Sequence, residues 1–110
     1  MTSPVWRILV AQTAQDDMLR AALYIAESLA NPPAARRLLD DLETAVRSLS
    51  TLPMRFRSVP LSPWRERGYH ALPVRRYLVI YRVDPPTRTV HIARVFHSSQ
   101  KWLPALSSLS

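Results

Sequence analysis

Two hydrophobic rhythms divide the chain. Val5 to Ala11 (VWRILVA) is a short run of β-branched and aromatic residues, with Arg7 set among apolar neighbours, and it predicts a strand with one partly open face. The rhythm then changes. Met18, Ala22, Ile25, Ala26 and Leu29 recur at three- and four-residue spacing, the stripe of an amphipathic helix. Thr13, three residues before Asp16, has the spacing of an N-terminal cap, and Asp16 and Asp17 complement the positive end of the helix dipole. Asn31-Pro32-Pro33 closes this helix and opens another, with Asn31 as cap and Pro32 as first helical residue. Ala35, Leu38, Leu39, Leu42, Ala45, Val46, Leu49 and Leu52 then hold the helical period until Pro53 stops it. The opposite face carries Arg36, Arg37, Asp40, Asp41, Glu43 and Arg47, with Arg36/Asp40 and Arg37/Asp41 four residues apart, as on a solvated surface.

Past Pro53 the stretch PMRFRSVPLSPWRERG is too rich in proline for regular structure and is expected to be a long basic loop. Strand patterns follow at Tyr69 to Val74, Tyr77 to Val83 and Thr89 to Phe96, the last two joined through Asp84-Pro85-Pro86-Thr87-Arg88. The order β-α-α-β-β-β predicts an α+β fold in which an antiparallel helical hairpin buries its leucines on an antiparallel sheet. Where the first strand joins that sheet is left open. The closing SQKWLPALSSLS is expected to form a short turn or helix around Trp102 and Leu103. Residues 1–4 and 107–110 are expected to fray.

At 110 residues the chain fits a single domain, 1–110. It has no cysteine, so disulfides and thiolate metal sites are unavailable, which agrees with a reducing cytoplasm. No apolar run approaches the ~18 residues of a membrane span. With Gly68 as its only glycine, the chain has no glycine-rich phosphate loop. His70, His91 and His97 lack the spacing of a metal site, and no metal or cofactor is expected.

Charge changes the picture most. The formal net charge is +7, and Lys101 is the single lysine among 15 basic residues. Up to Leu52 there are five basic and six acidic residues; from Pro53 onward there are ten basic and two acidic, a balance of −1 against +8. Such asymmetry points to an anionic partner, nucleic acid or acidic polypeptide, meeting the second half of the chain. With helices over one side of the sheet, the other side is expected to be cationic and free. Arg55, Arg57, Arg65 and Arg67 are interleaved with Phe56 and Trp64, a mixture that suits phosphates and stacked bases as well as anchoring of the loop. His97 ends a predicted strand. It can move a proton near neutrality, while Arg75, Arg76, Arg82 and Arg94 can neutralise phosphate, the capacities that RNA cleavage through the 2′-hydroxyl requires. A strand-capping histidine would occupy the same place.

The helix PAARRLLDDLETAVRSLSTLP, the hairpin YHALPVRRYLVIYRVD and the closing RVFHSSQKW, in this order, resemble the RelE/ParE family of bacterial toxins from type II toxin–antitoxin systems. The likeness runs from about Trp6 to Trp102. It implies a toxin held inactive by a cognate antitoxin with an extended acidic or amphipathic segment, in a cytoplasmic hetero-oligomer that serves plasmid stabilisation. Within the family, ParE-like members block DNA gyrase without being enzymes, and RelE-like members cut messenger RNA on the ribosome. The matching strand of the nucleases commonly carries an arginine three residues before its tyrosine; here Leu78 stands three residues before Tyr81. The resemblance therefore favours a ParE-like toxin, with Arg55, Arg57, Arg65, Arg67, Arg75, Lys101 and Trp102 as the surface for target or antitoxin. The alternative is a RelE-like endoribonuclease with His97 as acid or base and Arg76, Arg82 and Arg94 on the phosphate. A basic nucleic-acid-binding module without a toxin role is the lesser alternative.

Overall fold

The computed structural model describes residues 5–100 and 102–106. Strand β1 (Arg7–Val10) leads into helix α1 (Gln12–Leu23), which continues through one wider π-helical turn, Tyr24–Ser28. Helix α2 (Pro32–Ser48) follows, then a 3₁₀ turn at Pro53–Arg55. Strands β2 (Tyr69–Val74), β3 (Tyr77–Asp84) and β4 (Thr89–His97) come next, and a short helix α3 (Trp102–Ala105) closes the described chain. The sheet order is β1-β4-β3-β2. The three late strands form the expected antiparallel meander, and β1 joins as the outer strand parallel to β4, so the sheet is mixed.

Alternation sets what lies beneath the helices. Val79, Tyr81 and Val83 of β3 and Val90, Ile92 and Val95 of β4 point to one face, where Leu38, Leu42, Val46 and Leu49 of α2 and Ala14 of α1 complete the main core. The α2 period is obeyed with two exceptions: Leu39 is 37% exposed, and Leu52 is 74% exposed in a left-handed conformation that ends the helical segment. Asn31 caps α2 as expected, its side-chain oxygen accepting the Ala34 N–H at 3.3 Å. The Arg37/Asp41 spacing is not used: Asp41 pairs with Arg75 of the β2–β3 turn instead.

Thr13 departs from its expected role. The helix begins at Gln12, and the Thr13 hydroxyl donates to the carbonyl of Ala93 on β4 at 2.9 Å. The reason lies in the sheet. β1 pairs with β4 only as far as Val10 opposite Ile92, and a bulge then places Ala93 as an extra residue facing β3. Beyond that point the β4 edge has no strand beside it among the described residues. The α1 side chains take over: Thr13 serves the Ala93 carbonyl, and Asp17 accepts the Val95 N–H at 2.9 Å.

The outer face of the sheet is not free throughout, contrary to the expectation from charge. Its half nearest the β2–β3 turn carries a second apolar cluster of Val59, Ile80, Phe96 and Leu106, with Trp64, Tyr69, Ala71, Leu78 and Trp102 packed around it. The proline-rich segment is responsible: it pairs briefly with β2 through Ala71 N–H to Arg57 O and Val59 N–H to Tyr69 O, and so lays Val59 on the sheet. Gly68 ends this segment at φ +86°, where an added Cβ would come within 2.9 Å of the Val83 carbonyl, so glycine is required.

Candidate functional site

A groove of about 820 Å³ opens between the helical hairpin and the turn end of the sheet. Its floor is apolar, from Ile25, Leu38 and Tyr77, with Tyr24 and Leu29 on the helical side, both more than half exposed. Its rim is basic: Arg75, Arg76, Arg94 and His97 all border it. The fold explains this gathering. A two-residue turn, Arg75-Arg76, joins β2 to β3, and Tyr77, the first residue of β3, pairs with His97, the last of β4. Arg75 sits at φ +54°, a region where glycine or asparagine is comfortable and most side chains cost about 1 kcal/mol or more.

His97 is held on two sides. Its Nδ1 accepts the Ser99 N–H at 3.1 Å and lies 2.6 Å from the Ser99 hydroxyl, which fixes the lone pair on Nδ1 and puts the proton of the neutral ring on Nε2. Tyr77 meets the ring edge-on with centroids 5.1 Å apart. Arg94 is not a free cation. Its Nε and Nη2 donate to Asp17 at 2.7 and 3.1 Å, and its guanidinium lies 4.8 Å from the centre of the Phe96 ring. The hydrogen-bonded Asp17 carboxylate raises the Arg94 pKa above its ordinary value.

The other candidate residues lie elsewhere. Arg82 pairs across β3–β4 with His91, five residues along β3 from Tyr77, which at ~3.4 Å per residue is roughly 17 Å from the His97 end. Leu78 packs into the second apolar cluster. Arg55 is exposed and is tethered to Ser48 by a 3.0 Å hydrogen bond, with its guanidinium over Phe56. Arg57 lies along the β2 edge, Arg65 is 3.8 Å from Glu66, and Arg67 is exposed just before Gly68. Trp102 packs on the second cluster, and Lys101 lies outside the described residues. The structure thus brings Arg75, Arg76, Arg94 and His97 to one groove and leaves the loop arginines and Arg82 out of it.

Sequence reasoning passed over Asp17, Tyr24, Tyr77 and Ser99. Asp17 reads in the sequence as a helix-dipole residue, and nothing local shows that a strand bulge will present Arg94 and a bare N–H to it. Ser99, two residues beyond His97, had a usable signal, because serine at that spacing can fold back on the ring. Among the described residues no group of three or more His, Cys, Asp or Glu is placed to hold a metal ion, and no helix is long and apolar enough to cross a membrane.

The comparisons agree with this architecture. The sequence profile of the ParE toxin of type II toxin–antitoxin systems, parDE, matches residues 8–102. No match is found among curated proteins. Among solved structures, the chromosomal ParDE toxin–antitoxin system of P. aeruginosa superposes with a TM-score of 0.69 at 17% identity, covering 86% of this chain and 98% of that one. The RelBE2 toxin–antitoxin complex of Mycobacterium tuberculosis superposes with a TM-score of 0.62 at 24% identity, covering 90% and 98%. Identities this low establish a shared fold, and the profile match over most of the chain establishes descent: this chain belongs to the ParE toxin family of type II toxin–antitoxin systems.

Proposed function

We propose that the chain is a ParE-like toxin that arrests growth by blocking DNA gyrase in the cytoplasm, without catalysis, until a cognate antitoxin neutralises it. The observation that carries this reading is the incomplete cationic clamp around His97, in which the nuclease arginine position, Arg94 and Arg82 are all lost to the phosphate. Leu78 takes the place of the nuclease arginine and is packed in an apolar cluster. Arg94 is neutralised by Asp17, and Arg82 is separated from His97 by most of the length of β3. Cleavage needs base, acid and cationic clamp within hydrogen-bond reach of one phosphate, and displacement by even ~1 Å is costly.

The antitoxin is proposed to seat an amphipathic, acidic segment in the groove. Its apolar side would meet Tyr24, Ile25 and Leu29, and its carboxylates would meet Arg76 and compete with Asp41 for Arg75. An apolar floor inside a basic rim favours such a segment by hydrophobic burial and by charge steering together.

A ribosome-dependent endoribonuclease is the second reading. It is favoured by the groove that holds His97, with Nδ1 fixed by Ser99, beside Arg75 and Arg76. Two assays separate the readings: gyrase supercoiling with purified protein, and primer extension on a reporter message after induced expression. Inhibited supercoiling with intact message is the expected result. Cuts in the message that vanish in His97→Ala, with supercoiling untouched, would replace the first reading by the second.

A further inference from the structure

The half of the outer sheet face that the second apolar cluster leaves uncovered has a regular composition. Register places Leu9 of β1 opposite His91 of β4, His91 opposite Arg82 of β3, and Arg82 opposite Tyr69 of β2, so these four residues form one row across the whole sheet. Alternation puts the row on the face away from the helices, since its neighbours Val83, Val90 and Ile92 lie in the main core. Arg7 lies two residues from Leu9 on the same face. Arg67 enters beside Asp84 through the bond from Val83 N–H to Gly68 O.

Charge on this half is unbalanced. Arg7, Arg67 and Arg82 form no ion pair with any described carboxylate, whereas Arg20, Arg47, Arg65, Arg75 and Arg94 each have one. Asp84, at the end of β3, accepts the Thr87 hydroxyl at 2.8 Å. The surface is also partly apolar, with Leu9 46% exposed and Tyr69, Arg82 and His91 half-buried.

We infer that this row is a platform for single-stranded nucleic acid, with the ring of His91, the flank of Leu9 and the part of Tyr69 that the second apolar cluster leaves exposed receiving bases while Arg7, Arg67 and Arg82 hold phosphates. Its chemistry suits that occupant better than an acidic peptide. Unneutralised guanidinium groups attract either, but rings laid in line on a sheet between cations add a contact that only unstacked bases use. A duplex would offer its phosphates and keep its bases from the rings. Nothing here depends on the gyrase or ribosome reading, because binding is measured on the toxin chain alone.

The test is fluorescence anisotropy with a labelled oligothymidine of roughly 12 nucleotides. Binding is expected to weaken with salt at a logarithmic slope of about −2, for three phosphate contacts on a single strand. Arg82→Gln, Arg7→Gln and His91→Ala are each expected to lower affinity about tenfold. Arg36→Gln, an exposed change on α2, is expected to leave it unaltered. Equal losses in Arg36→Gln would mean diffuse attraction to a basic protein and would overturn the inference. So would duplex DNA bound as tightly as the single strand, displacement by polyglutamate at matched charge, or no binding at low salt.

Discussion

Asp17 on α1 and Arg94 on β4 form a two-point ion pair, at 2.7 and 3.1 Å, while the same carboxylate accepts the Val95 N–H at 2.9 Å. One nearly buried acid therefore closes the free edge of β4, neutralises the guanidinium behind the groove and fixes the helical hairpin to the sheet. Asp17→Ala would take two hydrogen bonds from the guanidinium and remove the acceptor of the Val95 N–H. Breaking a pair of this kind is expected to cost about 3 kcal/mol, moderated because Arg94 keeps some solvent contact. Urea denaturation measures it. An Arg94→Met change keeps the packing stem and leaves Asp17 the Val95 N–H and the nearby Arg20, so it should cost less than Asp17→Ala; the reverse order would mean that a stranded carboxylate costs the fold more than an open strand edge.

Tyr81 makes the corresponding link on the other side of the core. Its hydroxyl donates to the Pro53 carbonyl at 2.6 Å, which ties the start of the long loop beneath the sheet, while His70 stacks on its ring and binds the Phe56 carbonyl through Nδ1 at 3.0 Å. Burial pushes the Tyr81 phenol up to about 12, against an opposing effect from Arg55. The unfolded chain ionises this group near pH ~10, so above that value protons leave the unfolded state first. Stability is therefore whole below pH ~10 and falls as pH rises toward 12, by about 3 kcal/mol from this group. Tyr81→Phe should be less stable at neutral pH by about 1 kcal/mol for the lost hydrogen bond, and should lose that alkaline slope.

The extent to which all this is legible in the sequence follows from the range of the interactions. The period of α2, the Asn31-Pro32 start and the three late strands are written in neighbouring residues, and the structure follows the strands almost to the residue, whereas α2 ends at Ser48, short of the expected stop at Pro53. The parallel placement of β1 beside β4 is not, because it depends on contacts some 80 positions apart. The same holds for Thr13, whose local spacing fits a cap but whose hydroxyl is taken by a carbonyl that a bulge exposes. Charge counting located the basic half correctly. It could not reveal that Leu78, Ile80 and Phe96 would draw the proline-rich loop and the C-terminal segment over half of the outer face. Of the groove, His97 and the arginine turn are visible as residue types, but Tyr24 and Leu29 join them only when the helices fold over.

His91 offers a pH dependence of opposite sense to Tyr81. Burial, helped by Arg82 across the strand pair and opposed by Asp84, lowers its pKa below the ordinary histidine value. The groups facing it are Arg82 and Asp84 on β3 and Leu9 on β1. As pH falls from neutrality the unfolded chain takes up the proton near ~6.5, before the folded chain does. Its contribution to stability is thus present above pH ~6.5 and is lost as pH falls through the lower folded value. In His91→Gln the stability measured by urea titration between pH 7 and 5 should decline less steeply than in the parent. An unchanged slope would mean that other groups govern the acid limb.

The groove makes a prediction that separates two ways an antitoxin can grip this toxin. Leu29, Tyr24 and Ile25 border the groove, whereas Leu19 and Leu23 form an exposed apolar stripe on α1, and Leu19 is 55% exposed and not part of the groove lining. A carboxylate introduced at an exposed position should change folding stability by no more than about 0.5 kcal/mol, so both Leu29→Asp and Leu19→Asp should fold normally. If the antitoxin lies in the groove, Leu29→Asp removes an apolar contact and sets a negative charge against an acidic segment. Affinity measured by calorimetry should then fall at least about tenfold, equivalent to about 1.4 kcal/mol, while Leu19→Asp binds as the parent does. In cells the first variant should stay toxic when the antitoxin is co-expressed at a level that silences the parent. Should Leu19→Asp be the one that escapes, the antitoxin runs along the outside of α1, and the basic rim of the groove is left for the toxin's target.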